Sequence, residues 1–362
     1  MPTVAVRILH PLPDATAGPL VRWVSDVRAN LALRHRRGFV AAGGEDVEIV
    51  AGPEDGRAFG ARLRGLVGDG RPGGLVILGS GSIPLATLAD RRAFVEAAAA
   101  PEPRALANNR YSADAIAIAR VDRLPTIPDL PGDNALPRWL DEVAGYPVED
   151  IRRRWRLAMD IDGPLDIVLC GSSDVPAAID ATSLRSRITA VQRVARDARG
   201  ELLVAGRTSA ATLTWLERHT ASRTRALVEE RGLRAASRLA QGADARGRSP
   251  RAAAPGRPPA SVLGALLDRD GPQSLGDHLA RLADAAIVDT RVLIAHRLGA
   301  DAAGWPSAED RFASDLLLPD RIVDPWLRAL TKAATAAPIP VLLGGHTLVG
   351  PGIRLVVGRS WT

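Results

Sequence analysis

Short apolar runs recur along the chain, separated by stretches with helical periodicity. The runs occupy positions 47–50 (VEIV), 75–78 (LVIL), 115–118 (AIAI), 167–169 (IVL), 202–204 (LLV), 286–288 (AIV) and 341–343 (VLL). Runs of this length, rich in Val, Ile and Leu, predict strands. Between them, Leu20, Val24, Val27 and Leu31 share one helical face, as do Leu136, Trp139, Leu140 and Val143. A further helix is expected over 88–95, and Asp324-Pro325 supplies an N-cap followed by a first-turn proline. Strand and helix alternating in this way predict an α/β fold with a layered, mostly parallel sheet.

One segment breaks the pattern. Positions 235–259 (AASRLAQGADARGRSPRAAAPGRPP) carry almost no large apolar residue, so they bury too little surface to offset the entropy of ordering. A flexible segment is expected there, inside the second of two domains for which 362 residues suffice.

Composition removes several function classes. The single cysteine, Cys170, allows no internal disulfide and no Cys-x-x-Cys zinc site, and at the end of the 167–169 run it reads as a small buried hydrophobe. The six histidines, at 10, 35, 219, 278, 296 and 346, show no close metal-ligand spacing. The net charge of +6 comes from 47 basic residues interleaved with 41 acidic ones, and this mixing argues against a nucleic-acid partner. Lys332 is the one lysine and has no Gly-Lys-Ser/Thr context, so a Walker loop is excluded. With no long apolar stretch and no leader-like start, the expectation is a cytoplasmic protein with no membrane partner.

Three loops carry candidate chemistry in the first half. The turn Gly79-Ser80-Gly81-Ser82-Ile83-Pro84 follows the 75–78 run directly, where an open α/β sheet binds nucleotides or phosphates. Small residues let backbone N–H groups approach an anion, and Ser80 and Ser82 add hydroxyls, though a plain strand-to-helix turn explains the same residues. In Asp160-Ile161-Asp162-Gly163-Pro164, carboxylates at i and i+2 suit a hard cation such as magnesium, while a helix cap at Asp162 suits them structurally. Asn108 and Asn109, before the 115–118 run, either read a substrate edge or close a turn.

In the second half, Arg207 and Thr208 follow the 202–204 run at an expected helix start, a place suited to a phosphate, with an ordinary N-cap at Thr208 or Ser209 as the alternative. His346 lies in the glycine-rich turn after 341–343 as a candidate acid, base or phosphate donor. A hairpin turn into a strand at 353–357 fits that segment equally well.

Residues 1–170 resemble the MobA-like and CofC-like nucleotidyltransferases, which include molybdenum-cofactor and 2-phospho-lactate guanylyltransferases. The likeness lies in the segment 43–50 (GGEDVEIV), in the strand and loop 76–85 (VILGSGSIPL) and in 160–167 (DIDGPLDI), which is similar to the family's Asp-Ile-Asp-Thr-Pro-x-Asp-Leu. It implies a GT-A, Rossmann-like fold for 1–170, a nucleotide or phosphorylated small-molecule ligand, and magnesium at Asp160 and Asp162; the strand-helix alternation of 171–362 predicts a second α/β domain there. Ser80, Gly81, Ser82, Asn108, Asn109, Arg207, Thr208 and His346 are the candidate ligand contacts.

Two positions depart from the family. The first strand runs into Leu12-Pro13-Asp14-Ala15-Thr16-Ala17-Gly18 rather than a glycine-rich basic loop, and Ser82 stands where the family places a metal-binding Asp before x-Pro. The expected activity is nucleotidyl transfer to a small phosphorylated or cofactor-like acceptor. The alternative is a non-catalytic binding or assembly protein on the same fold. Self-association is left open.

Overall fold

The computed structural model describes residues 3–358 apart from 54, 68–72, 112, 131, 172–174, 177–178, 180 and 230–258. The described residues divide into two units, one holding 3–16 and 25–161, the other holding 17–24, 162–229 and 259–358. One boundary between the units falls between Ile161 and Asp162. The segment expected to be flexible, 235–259, lies outside the described residues except for its last position.

The first unit contains β1 (Val4–Pro11), most of α1 (Pro19–Ala41), β2 (Asp46–Gly52), α2 (Phe59–Val67), β3 (Gly74–Gly79), α3 (Leu88–Ala98), β4 (Ala105–Ala107), β5 (Ala115–Ala119), α4 (Leu136–Glu142) and β6 (Val148–Asp150). Its six strands lie in the order β2-β1-β3-β5-β4-β6. β1 pairs in parallel with β2 and β3, β4 pairs in parallel with β6, and β5 runs antiparallel to both β3 and β4. The sheet is therefore mixed, with β3 central. All of β5 and the apolar residues of β3 are buried, which is why both read as unbroken apolar runs. One face packs on Phe39 and Phe94, the other on Leu63, Leu136 and Leu140.

The second unit contains α5 (Pro164–Leu169), α6 (Ala181–Ala195), β7 (Glu201–Gly206), α7 (Ala210–His219), β8 (Arg223–Val228), α8 (Val262–Asp270), α9 (Leu275–Leu282), β9 (Ala285–Asp289), α10 (Thr290–Leu298), α11 (Ala308–Asp315), α12 (Pro325–Ala336), β10 (Val341–Gly344), α13 (His346–Val349) and α14 (Ile353–Gly358). Its sheet is wholly parallel in the order β10-β9-β7-β8. Here the first turn of α1 is capped by Glu309, whose carboxylate accepts from the N–H groups of Leu20 and Val21 at 3.1 Å.

Several expectations are corrected. The run 167–169 is helix, in α5: Gly163 is its N-cap, Pro164 opens its first turn, and Asp166 rather than Asp162 supplies the capping carboxylate. The run 353–357 is likewise helix, in α14. The first is apolar because all its residues are buried, so it lacks a polar face that would reveal the helical period, whereas in α14 Ile353, Val356 and Val357 are the buried positions. Val143 lies just past the end of α4 and is exposed, and α7 is capped by Ser209, whose hydroxyl accepts from Thr212 N–H. Among the described residues no helix is long and apolar enough to cross a membrane.

Candidate functional site

In the first unit the connection from β1 runs to β2 on one side and the connection from β3 runs to β4 on the other, so the strand order reverses between β1 and β3. Such a reversal opens a crevice at the carboxyl ends of the two strands concerned. A pocket of about 250 Å³ lies there, lined by Leu9 and Pro11 from β1, by residues 77–82 from β3 and its turn, and by Arg28, Phe59, Arg62, Asp114, Leu136 and Asp160 among others. Its walls are apolar, with two guanidinium groups and several carboxylates set into them, the composition of a small-ligand site.

The turn after β3 is held in an unfavourable conformation. Ile83 has φ 44°, in the left-handed region, where a β-branched residue costs on the order of 1–3 kcal/mol. The surroundings hold it there. Ile83 N–H donates to Met159 O at 3.1 Å, Ile161 N–H to Gly81 O at 3.0 Å, and Ser82 Oγ to Gly79 O at 2.8 Å. The Ile83 side chain is fully buried. Arg34 bonds Pro84 O from α1.

His35, also from α1, grips the turn from beneath. Its Nδ1 lies 3.2 Å from Arg91 Nη2, which can only donate, so Nδ1 must accept and the ring proton sits on Nε2. That proton is donated to Ser82 O at 2.9 Å. Burial, and then the Arg91 charge, lower the His35 pKa to about 3, so the ring is neutral.

Ser80 faces a second histidine. Its Oγ lies 3.0 Å from His10 Nδ1, and its backbone N–H donates to Leu9 O at 2.8 Å. Burial, and then Arg28, lower the His10 pKa, with Asp26 opposing. Asp160 enters the same pocket, and its backbone forms an antiparallel bridge with Ser82. Gly81 is required by close approach. A Cβ there would stand 2.9 Å from both Arg28 Nε and Asp160 Oδ1.

Of the sequence-derived residues, the structure brings Ser80, Gly81, Ser82 and Asp160 to this pocket. Asn108 is fully buried and its amide closes the β4–β5 loop: Oδ1 accepts from Asp114 and Ala115 N–H, and Nδ2 donates to Leu157 O. Asn109 accepts from Tyr111 N–H, a side-chain turn of the kind Asn favours. Both asparagines thus do the turn work that was the alternative for them.

The remaining candidates belong to the second unit, at the carboxyl end of its sheet. Arg207 grips Asp289 with two bonds, Nε–Oδ2 at 2.6 Å and Nη2–Oδ1 at 3.0 Å, so its charge is already matched. Thr208 is buried beside it. Asp162 is half-exposed, with Oδ2 3.4 Å from His346 Nδ1. Beneath lies buried charge. Arg291 forms a bidentate pair with Asp315, and burial pushes the Asp166 carboxyl well up, helped by Asp162 and Asp315.

Sequence reasoning missed His10, His35, Arg28, Arg62, Phe59 and Asp114. Only His10 carried a usable signal, since it closes the apolar run Val4-Ala5-Val6-Arg7-Ile8-Leu9 that becomes β1 beside β3. Among the described residues no group of three or more His, Cys, Asp or Glu side chains is arranged to hold a metal ion. No protein-family model matches the chain, and no curated protein matches it.

Proposed function

We propose that the first unit binds a nucleotide in the pocket at the carboxyl ends of β1 and β3 and transfers its nucleotidyl group to a small phosphorylated or cofactor-like acceptor. The observation that carries this reading is the strained turn 79–84, fixed by His35 and Arg34 at the reversal of strand order, with Arg28 and Arg62 lining the same pocket. Two guanidinium groups offset phosphate charge, and the apolar wall of Phe59, Ile116 and Leu136 suits the flat face of a base. The family resemblance of 1–170 supports the same reading.

Asp160, which lines this pocket, is the carboxylate that would hold magnesium there. When bound, the cation would offset negative charge on the reacting phosphate. Ser82, in place of a second carboxylate, leaves the site weak for a cation. That substitution favours the second reading, in which the pocket binds a nucleotide without turning it over.

A thermal-shift series with each nucleoside triphosphate, with and without magnesium, tests the proposal. A ligand that binds only the folded state raises the melting temperature, by about 2.7 kcal/mol of added stability at a hundredfold excess over Kd. No shift with any nucleotide would remove the reading.

A further inference from the structure

The register of β1 and β3 sets His10 beside Ser80. Leu9 pairs with Gly79, and the next residue on each strand is His10 and Ser80. Ser80 N–H is tied to Leu9 O at 2.8 Å, so the backbone carrying the hydroxyl is fixed to the strand carrying the imidazole. The 3.0 Å separation of Oγ and Nδ1 follows from that pairing rather than from two free side chains. Both serines of the turn line the pocket, but Ser82 Oγ is committed to Gly79 O, whereas Ser80 Oγ meets an imidazole nitrogen.

We propose that Ser80 is a nucleophile that takes the nucleotidyl group covalently, with His10 as its general base. A hydroxyl within hydrogen-bond reach of an imidazole is the arrangement that activates a serine. Burial keeps that imidazole unprotonated near neutral pH, ready to accept. This inference rests on the nucleotide reading of the pocket. It adds a two-stage course to it.

In the first stage Ser80 Oγ attacks the α-phosphorus of a nucleoside triphosphate. The Oγ–P bond forms as the bond to the bridging oxygen of the β-phosphate breaks; pyrophosphate leaves with that electron pair and the Oγ proton passes to His10 Nδ1. In the second stage an oxygen of the acceptor attacks the same phosphorus and displaces Oγ, which takes the proton back. Arg28 and Arg62 line the pocket on which the negative charge converges.

The test uses the full chain, each of the four nucleoside triphosphates labelled at the α-phosphate, and magnesium. Denatured protein is weighed intact and digested to map the label, while the thermal shift of the same samples is read in parallel. The expected result is one nucleoside monophosphate on Ser80, one pyrophosphate released per label, no label on Ser80→Ala, and labelling slowed about 100-fold or more in His10→Gln, the usual worth of a general base. A nucleotide shift in the wild type without label, or a label on another residue, overturns the covalent step and leaves nucleotide binding standing. Neither shift nor label overturns both. Mapping on the wild type decides the question even if a variant fails to fold.

Discussion

His35 and Ser82, on different elements and 47 positions apart, are joined by a hydrogen bond of 2.9 Å from Nε2 to the carbonyl oxygen. The bond needs the neutral ring, since Arg91 faces the other nitrogen. The folded pKa is about 3 and the unfolded one 6.5, so between those values the unfolded chain binds a proton that the folded chain refuses. Stability therefore falls on acidification through this window, by up to about 1.4 kcal/mol per pH unit. His35→Gln, whose amide can still donate to Ser82 O but does not titrate, should lose that part of the slope. Denaturant melts between pH 4 and 7 on both proteins would show it; parallel slopes would refute it.

Gly79 and Gly81 flank Ser80 and should respond differently to alanine. A Cβ on Gly79 meets nothing within 4 Å, so Gly79→Ala should stay within about 0.5 kcal/mol of wild type. On Gly81 it would press against Arg28, Asp160 and the Ile161 carbonyl, and overpacking of that kind costs about 1–3 kcal/mol. Urea midpoints of the two variants, with nucleotide thermal shifts alongside, check both. The Gly81 variant should lose the shift.

Magnesium dependence separates the two aspartates. Asp160 lines the pocket and Asp162 faces His346. Asp160→Asn should abolish any magnesium-dependent part of the nucleotide shift, whereas Asp162→Asn should keep it. The opposite result would move the cation site to Asp162.

Asp166 is a carboxyl whose charge is costly where it lies. Its pKa is raised by burial, so above the ordinary carboxylate range the unfolded chain releases a proton that the folded chain retains, and stability contributed by this group declines as pH rises. Asp166→Asn keeps an oxygen for the Asp162 and Gly163 N–H groups without the charge. It should gain on wild type as pH climbs from 4 to 7, while Asp166→Ala, which removes the cap, should lose about 1 kcal/mol. Parallel pH-stability curves for Asn and wild type would count against the shift.

The Arg207–Asp289 pair offers a test confined to the second unit. The Asp289 side chain is fully buried, and Arg207→Leu removes its bidentate ion-pair partner, at a cost of about 3–5 kcal/mol. Calorimetric unfolding would register it. A loss below 1 kcal/mol would mean that solvent reaches Asp289.

The sequence and the structure agree where burial is two-sided. The runs at 75–78, 115–118 and 286–288 are strands because each is covered on both faces, which leaves no polar position to interrupt them. The same logic failed at 167–169, where a helix buried all round is as apolar as a strand; the signals that distinguish it are the proline at 164 and the acid at 166. β4 (Ala105–Ala107) and β8 (Arg223–Val228) escaped because one is three residues of Ala and Leu and the other is an exposed edge. Within the site, the turn 79–84 was legible because glycines follow an apolar run directly. His35 and Arg28 were not, because strand pairing and helix packing, rather than spacing along the chain, bring them to the turn.

The cap on α1 sets an order of events during synthesis. The carboxylate that satisfies the Leu20 and Val21 amides is Glu309, which leaves the ribosome 288 or more positions after them. Until then the first turn of the longest described helix lacks this partner for its N–H groups, and the nascent chain must hold this short stretch in reserve until Glu309 is made. Closing so distant a contact is entropically costly, so completion of the second unit waits on its C-terminal third. A chain cut short before residue 309 would carry an α1 that lacks this cap.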